Sequence, residues 1–240
     1  MAGVCVEKIY HSSCGEHLVQ VFQNDDGTFS GFCYPLNKFV PNPYDDKEPS
    51  YKPEIRKKTD EEIQQELDEI SSCQTLALPE RKLRVDTVEY FEVKVSVSEQ
   101  DGVTPVIHHY PYYKEGRLVA YKNRLIENKR MWSTGNQRDV SPFGWKQAIT
   151  TGRKKLFICE GEVDAMSLFQ ILKDNAAPQW SHINPSVISL AHGASSAAKS
   201  LAPFLSQINE WEEVILVFDM DDAGKAAVEE VLKSIPKAKV

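Results

Sequence analysis

Two segments in the second half of the chain are almost continuously apolar. They run from Lys154 to Cys159 and from Glu213 to Phe218. Such runs are typical of parallel strands buried on both faces, because no position along them has to meet water. A shorter run, Val187–Leu190, lies between them and indicates a third strand. The pattern predicts an α/β domain with a mostly parallel sheet over residues 151–240.

The middle of the chain alternates between apolar and polar positions. Residues 104–113 and 117–124 predict a hairpin that turns at 114–116. His108 and His109 are adjacent on this alternating strand, so one should face in and one out, and we expect both to be structural. A strand is also predicted from the period-two positions Tyr90, Phe91, Val93, Val95 and Val97. These features predict an α+β subdomain over residues 76–150.

A helix is predicted before that subdomain, over residues 59–72. Thr59 and Glu62 form a capping-box pattern, and apolar residues follow at helical spacing at Ile63, Leu67 and Ile70. This helix is expected to cover the adjacent subdomain rather than to recognise a ligand. Residues 41–53 are rich in proline and charge, which favours a mobile linker. We therefore assign residues 45–75 to a linker that includes the helix.

The N-terminal residues 1–44 predict a small module built on a β hairpin. Its first strand is expected at Leu18–Phe22, and its turn at residues 24–27. His11 and Cys14 precede the hairpin, and Cys33 follows it. Cysteine and histidine pairs at such spacing can close a tetrahedral zinc site. The pattern therefore predicts a zinc-ribbon-like module.

Composition narrows the class of protein. The chain has 240 residues and a net charge of −7, which argues against indiscriminate nucleic-acid binding over the whole surface. Residues 114–155, however, hold eleven basic residues against three acidic ones, together with aromatic side chains that can stack on bases. Five cysteines and no long apolar run indicate an intracellular protein without disulfides or a membrane span. We expect the basic segment to be the phosphate-binding surface.

Acidic residues follow the two long apolar runs. Glu160 follows the first, and Asp219 and Asp221 follow the second. Side chains at the carboxyl ends of parallel strands meet at one edge of a sheet, where α/β proteins place their chemistry. Magnesium favours carboxylate oxygens, phosphate oxygens and water, and it can activate a hydroxyl for attack on a phosphate. The acids therefore predict a Mg²⁺ (or Mn²⁺) site, and their alternative role is to cap helices.

The motifs around these acids resemble a known family. Residues 160–165 and 218–225 look like the two acidic motifs of the TOPRIM fold of primases and topoisomerases. Residues 187–195 are similar to a third signature, found in the bacteriophage primase–helicases and their mitochondrial relative Twinkle. The resemblance covers residues 155–235. It implies that the catalytic residues are Glu160, Asp219 and Asp221, and that Asp164 supports substrate binding.

The same resemblance extends to the basic segment. Residues 121–124 and 129–135 are similar to a lysine-rich strand and a loop of the phage family. By that comparison Lys122 and Lys129 hold nucleotide phosphates, and further substrate contacts come from Arg124, Trp132 and His192. Backbone amides after His192 could also bind phosphate, and the alternative is that Ser195 acts as an ordinary helix cap.

The resemblance leaves the zinc site open. The phage family has Cys-x-x-Cys twice in its template-reading ribbon, but here His11 replaces the first cysteine and Leu36 the last. Leucine cannot bind zinc, so the candidate ligands are His11, Cys14 and Cys33, with Cys5 or His17 as the fourth. The alternative is a ribbon that has lost its metal and kept its hairpin.

The function implied by the resemblance is that of a DNA primase. The chain would be the front part of a primase–helicase that makes short RNA primers on a single-stranded DNA template from ribonucleoside triphosphates. Its partners would be a helicase domain or subunit and the replicative DNA polymerase, in the cytoplasm of a phage-infected cell. No P-loop occurs in the chain. The sequence stops where the family begins another strand and acidic motif, so we expect a fragment or a shortened protein with a truncated TOPRIM domain.

Two other functions fit the same motifs. Another TOPRIM enzyme, a nuclease or topoisomerase, would use the acids for strand cleavage. A non-catalytic accessory would bind single-stranded DNA without chemistry.

Overall fold

The computed structural model describes residues 5–24, 27–45, 47 and 58–240. The chain forms two compact units, residues 1–57 and residues 58–240. Much of the predicted mobile linker at 41–53 lies outside the described residues, and the three predicted boundaries between domains stay predictions. In the described part of the chain, no helix has the length and apolar character needed to cross a bilayer.

The N-terminal unit contains a four-stranded antiparallel sheet whose strands neighbour each other in chain order. The predicted hairpin is present between the second and third strands. An additional strand pairs along the first of these two, with a bulge between Cys5 and Glu7. Cys14, Val19, Cys33 and Val40 form the buried cluster of this unit. The strands are β1 (Cys5–Tyr10), β2 (Leu18–Gln23), β3 (Phe29–Cys33) and β4 (Lys38–Val40).

The second unit begins with an α+β region around another four-stranded antiparallel sheet, again in chain order. The long hairpin predicted at 104–124 forms its centre. The elements are α1 (Asp60–Ser71), α2 (Val85–Tyr90), β5 (Lys94–Val97), β6 (Pro105–Lys114), β7 (Arg117–Leu125), β8 (Met131–Gly135) and α3 (Trp145–Ala148).

The capping box at the start of α1 is formed as predicted. The Glu62 amide donates to the Thr59 hydroxyl, and the Glu62 carboxylate accepts from the Thr59 amide. The apolar side of the helix packs on the antiparallel sheet, where Leu67 is buried and the Ser71 hydroxyl lies 3.1 Å from that of Tyr121. The helix therefore covers one face of the sheet.

The strand predicted from Tyr90 and Phe91 is wrong in its first part. Tyr90 is the last residue of α2 and Phe91 is its C-cap, and the strand begins only at Lys94. Val88 and Phe91 are buried three positions apart, which suits a helix, and the Tyr90 ring stacks on Phe169 with centroids 4.3 Å apart. The chance alternation of apolar residues across the helix end imitated a strand.

The two adjacent histidines are both buried, although one was expected to face out. They lie on opposite faces of β6, and α1 covers the second face. His109 bonds to Ser96 and Asn123, whereas His108 lies 3.2 Å from both the Tyr110 hydroxyl and the Glu80 carboxylate. Burial, and then the charges of Arg124 and Arg81, lowers the pKa of His108 to about 4, so this ring is neutral at pH 7.

The last third of the chain is the predicted α/β domain. Its three strands are parallel, with β9 between β10 and β11. Lys239 pairs in parallel with Ile215, so the final residues extend the sheet beside β11. The elements are β9 (Lys155–Cys159), α4 (Glu162–Asp174), β10 (Ser186–Ser189), α5 (Ala197–Leu201), α6 (Leu205–Ile208), β11 (Glu213–Val217) and α7 (Asp222–Ser234).

Both faces of the parallel sheet are buried, as the apolar runs predicted. On one face Cys159 packs with α4 and with aromatic residues of the antiparallel sheet, including Tyr110 and Tyr112. On the other, Leu156 and Ile158 pack with α7 and with two tryptophans, Trp145 and Trp211. The two sheets and their helices therefore share one layered core, and the carboxyl ends of β9, β10 and β11 lie along one edge of the parallel sheet.

Candidate active site

Two of the predicted acids meet where β9 and β11 end. These strands run parallel in register, with Cys159 opposite Val217. The residues that follow therefore come together, and the Asp219 amide lies 3.5 Å from a carboxylate oxygen of Glu160. Asp219 and Asp221 are exposed, and Glu160 is half-buried. The structure thus brings the predicted acids to one edge of the sheet.

Crowded negative charge defines this edge. Burial, and the charges of Asp219, Asp221 and Asp164, raise the pKa of Glu160 above its ordinary value. Burial and the charge of Asp219 likewise raise the pKa of Asp164, while Arg81 acts in the opposite sense. Like charges this close repel each other, and a bound cation would relieve the repulsion.

Asp221 also has the alternative role that the sequence left open. It is the N-cap of α7, and its Oδ1 accepts a hydrogen bond from the Gly224 amide at 2.8 Å. A carboxylate has two oxygens, so the cap leaves Oδ2 for a metal or a water ligand. Capping fixes the position of the side chain, and both roles are compatible.

Gly224 holds the Asp219 backbone against the start of α7. A Cβ at this glycine would lie 2.0 Å from the Asp219 carbonyl oxygen and 2.9 Å from its carbonyl carbon. Only a residue without a side chain permits this approach. The position of Asp219 therefore depends on a glycine three residues into α7.

Replacement of Gly224 by alanine is expected to lower the free energy of unfolding by about 1–3 kcal/mol, the usual cost of overpacking. It should also displace Asp219 and remove Mg²⁺ binding. Chemical denaturation and a Mg²⁺ titration would measure the two effects. Gly152→Ala is the control, since a Cβ at Gly152 meets nothing within 4 Å. Unchanged stability in Gly224→Ala would contradict this packing argument.

Lys122 reaches the start of α4. Its Nζ lies 2.8 Å from Oε1 of Glu162, in a salt bridge whose side chains are 20% and 6% exposed. The Tyr112 hydroxyl donates to the same oxygen, and burial followed by the Glu162 charge raises the pKa of Tyr112 well above its usual value. The predicted phosphate ligand Lys122 is therefore oriented by a buried carboxylate, in the same helix turn as Asp164.

Arg81 and Arg124 add positive charge nearby. The charge of Arg81 acts on Asp164, Tyr110 and His108. Arg124 acts on Tyr110 and His108, and it hydrogen-bonds Tyr110. Because Lys122 and Arg124 are two residues apart on β7, they extend from the same face of the strand. Lys122 of the antiparallel sheet and Arg81 thus lie near Glu162 and Asp164, the two acids in the first turn of α4.

In the described part of the chain, no hydrogen bond or ion pair joins three further predicted residues to these acids. Lys129 is exposed in the turn between β7 and β8, with φ of 61°. Trp132 is 38% exposed on β8, at the edge of the antiparallel sheet. His192 is exposed in the loop after β10. Ser195 makes no capping bond to the helix that follows, and the Ser196 hydroxyl instead donates to the His192 carbonyl at 3.2 Å.

Comparisons with known proteins identify relatives of this chain. A Toprim-like family model matches residues 157–240, which include all four acids. The chain is 36% identical over 127 residues to the DNA helicase/primase of Enterobacteria phage T3. That match covers 53% of this chain and 20% of the T3 protein, so the chain spans only a fifth of the length of this relative.

The solved structures extend the match to nearly the whole chain. The primase fragment of the bacteriophage T7 primase-helicase protein aligns with 98% of this chain and 90% of its own, at 26% identity and a TM-score of 0.59. A second T7 structure, of lagging-strand DNA polymerase with primase domains bound to an RNA/DNA hybrid and dTTP, contains a chain that is 30% identical. The alignment covers 69% of this chain and 78% of that one, with a TM-score of 0.56.

The chain belongs to the primase family of the bacteriophage primase–helicases. Its TOPRIM domain and mixed α/β architecture are those predicted from the sequence. The Aquifex aeolicus primase, at 15% identity and a TM-score of 0.50 over 76% of this chain, shares the fold.

Magnesium suits the donor set at this edge of the sheet. Glu160, Asp219 and Asp221 offer hard carboxylate oxygens, and their mutual repulsion is the environment that a divalent cation would stabilise. In the described part of the chain, no three acidic, histidine or cysteine side chains already form a ligating group. Magnesium retains waters and takes substrate phosphates as ligands, so a few carboxylates suffice.

The candidate zinc ligands of the ribbon-like module are only partly brought together. The buried Cys14 and Cys33 thiols contact each other, and burial raises the pKa of Cys33. Nδ1 of His11 accepts from the Ser13 amide, and the buried Nε2 lies 2.9 Å from Oδ1 of Asp45. Leu36 is 47% exposed. Among residues 5–24, 27–45 and 47, no three candidate ligands converge, and the zinc ligands stay a prediction.

Sequence reasoning missed Glu162 and Arg81. Glu162 is the second acid of the Glu160–Asp164 motif in the sequence. Only the structure shows that its carboxylate pairs with Lys122, which lies on the antiparallel sheet. Arg81 lies just before α2 in a short turn, where no local pattern marks it. Both act through contacts between distant segments.

Proposed function

We propose that this chain is the primase part of a phage primase–helicase and makes short RNA primers on single-stranded DNA. The supporting observation is the edge where Glu160, Asp219 and Asp221 converge, two residues before the buried Glu162 that pairs with Lys122. Phage relatives named as primases share this fold, and the Toprim-like family model covers the segments that hold these acids. The reaction class is nucleotidyl transfer from ribonucleoside triphosphates.

The carboxylates and the lysine would have different roles, the first in binding metal and the second in binding phosphate. Glu160, Asp219 and Asp221 would hold Mg²⁺ (or Mn²⁺), which supplies charge neutralisation of the triphosphate and activation of the attacking hydroxyl. Asp164 stays close to them because its carboxylate accepts from the Gly161 amide. Lys122, oriented by Glu162, is placed to contact a phosphate, and Arg124 adds a second charge. Further contacts with the substrate, at a greater distance from the metal site, would come from Lys129, Trp132 and His192.

The covalent step is an exchange at one phosphorus atom. The 3′ oxygen of the primer bonds to the α-phosphorus of the incoming ribonucleotide as the bond to the bridging oxygen of pyrophosphate breaks. The hydroxyl proton leaves to solvent or a carboxylate, and pyrophosphate carries away the electron pair. The positive groups around Lys122 stabilise charge on the departing phosphates.

The partners follow from the relatives. The T3 relative is named a helicase/primase, and one T7 structure holds primase domains against the lagging-strand DNA polymerase. We therefore propose that this chain works with a helicase domain or subunit and with a replicative DNA polymerase, in the cytoplasm of an infected cell. Its template would be single-stranded DNA.

The test is template-directed incorporation of labelled ribonucleotides. The chain, circular single-stranded DNA and Mg²⁺ should give short RNA products that disappear without template or after chelation. Salt-sensitive DNA binding with no RNA would instead support the accessory function. Metal-dependent shortening of the DNA would support a TOPRIM nuclease.

A further inference from the structure

Two adjoining cavities form a groove that the acids do not line. The first, of about 400 Å³, is lined by Arg138, His192, Ser196, Lys199 and Ser200, among others. The second, of about 490 Å³, includes the apolar side chains of Tyr113, Ile149 and Phe204 in its wall. Asp139 and Pro203 line both cavities, so the two parts are continuous. We call this feature the α5 groove.

The first part of the α5 groove is positively charged. Arg138, Lys199 and His192 are exposed, and no ion pair joins any of them to another residue of the described chain. The single acid there, Asp139, lies 3.5 Å from Lys114. The hydroxyls of Ser196 and Ser200 add hydrogen-bonding capacity. Free guanidinium and ammonium groups beside hydroxyls suit phosphate oxygens.

The second part of the groove presents apolar and aromatic surface. Phe204 packs edge-on against Trp145 with ring centroids 5.0 Å apart, and the Lys146 ammonium lies 4.9 Å above the Tyr113 ring. Ile149 is 40% exposed. Aromatic walls beside a cationic track are the combination that binds single strands, because bases stack while phosphates meet the charges.

The groove begins beside the site proposed for chemistry. His192 follows β10, and Glu160 follows β9, its parallel neighbour in the sheet. Both residues therefore lie at the carboxyl edge of the same sheet. A strand lying in the groove would lead from the α3–α6 side toward the acids.

We propose that the α5 groove binds a single-stranded polynucleotide, with its phosphates on Arg138, Lys199 and His192 and its bases against Tyr113 and Phe204. This inference rests on the proposed function for its substrate class, and it assigns roles to side chains that the TOPRIM motifs do not contain. The ligand chemistry is a repeating phosphodiester with unpaired bases.

Anisotropy of labelled dT and U oligonucleotides at several salt concentrations tests the groove. The double variant Arg138→Gln/Lys199→Gln should bind roughly tenfold more weakly at 0.1 M salt, and the slope of log K against log salt should fall by about 1.4. Lys233→Gln is the control, because it removes one positive charge at the far end of α7, outside the groove. A loss of affinity for only one of the two polymers, dT or U, supports the groove and identifies its ligand. Unchanged affinity and slope with both polymers overturn it.

Cross-linking provides a second measurement that does not depend on the variants. An oligonucleotide with 5-bromouracil, irradiated on the wild-type chain, should attach to Tyr113 or Phe204. Attachment confined to residues 1–57 would overturn the proposal. The proposal would also be overturned if inorganic triphosphate displaced the cross-linking oligonucleotide while the variants left oligonucleotide binding unaffected. That result would indicate a nucleotide site instead.

The results that would contradict the proposed groove differ from those that would contradict the proposed primase function. If the wild-type chain makes RNA and the double variant binds oligonucleotides normally, only the groove is wrong. If the wild-type chain makes no RNA but the double variant loses binding, the groove stands and the primase function fails. At saturating template, a correct groove predicts that the double variant recovers incorporation.

Discussion

Replacement of Asp219 by asparagine should reduce ribonucleotide incorporation by about a hundredfold or more, because a metal-bound carboxylate is lost from the reaction centre. In metal-free buffer the same variant should melt at a higher temperature than the wild type. The charge of Asp219 raises the pKa of both Glu160 and Asp164, so its removal relieves repulsion in the folded state. Incorporation assays and thermal melts measure the two effects.

Magnesium separates this role from a general loss of structure. For the wild type, Mg²⁺ at ten times its dissociation constant should add about 1.4 kcal/mol to the free energy of unfolding. Asp219→Asn should lose most of that increment. Asp222→Asn is the matched control, since Asp222 is exposed in the first turn of α7 and outside the proposed ligand set. An equal magnesium increment in Asp219→Asn and wild type would remove Asp219 from the metal site.

The sequence predicted the parts of the fold that repeat a local pattern. Buried parallel strands leave continuous apolar runs in the sequence. The sequence alone therefore predicted β9, β11 and the acids that follow them. The capping box fixed the start of α1 in the same way. The edge with Glu160 and Asp219 followed from the rule that parallel strands align their carboxyl ends.

What the sequence could not predict depends on long-range packing. The strand wrongly begun at Tyr90 shows this, because the helix there is stabilised by Phe169 in a distant helix. The burial of His109 follows from α1 covering a sheet face, which the alternating pattern of β6 does not record. The Lys122–Glu162 pair joins residues forty positions apart, one on β7 and the other at the start of α4. No spacing rule connects them, although both lie in recognisable motifs.

The Lys122–Glu162 pair contributes to both the stability of the fold and the proposed activity. Glu162→Ala should lower the free energy of unfolding by about 3 kcal/mol, because it leaves the Lys122 ammonium and the Tyr112 hydroxyl without their shared acceptor. Lys122→Met should cost a similar amount, since it strands a carboxylate that is 6% exposed. Chemical denaturation measures both. Lys146→Met, at an exposed salt bridge with Glu92, should cost about 1 kcal/mol or less.

The double variant Lys122→Met/Glu162→Leu separates the two roles of the lysine. Removal of both charges should restore much of the lost stability, because apolar pairs often replace buried ion pairs without cost. A folded double variant that still makes primers at the wild-type rate would show that Lys122 only stabilises the fold. A folded double variant that binds template but no longer incorporates ribonucleotides would place Lys122 on the phosphates. Glu162 then acts as a positioning residue, since its carboxylate fixes the ammonium that meets the substrate.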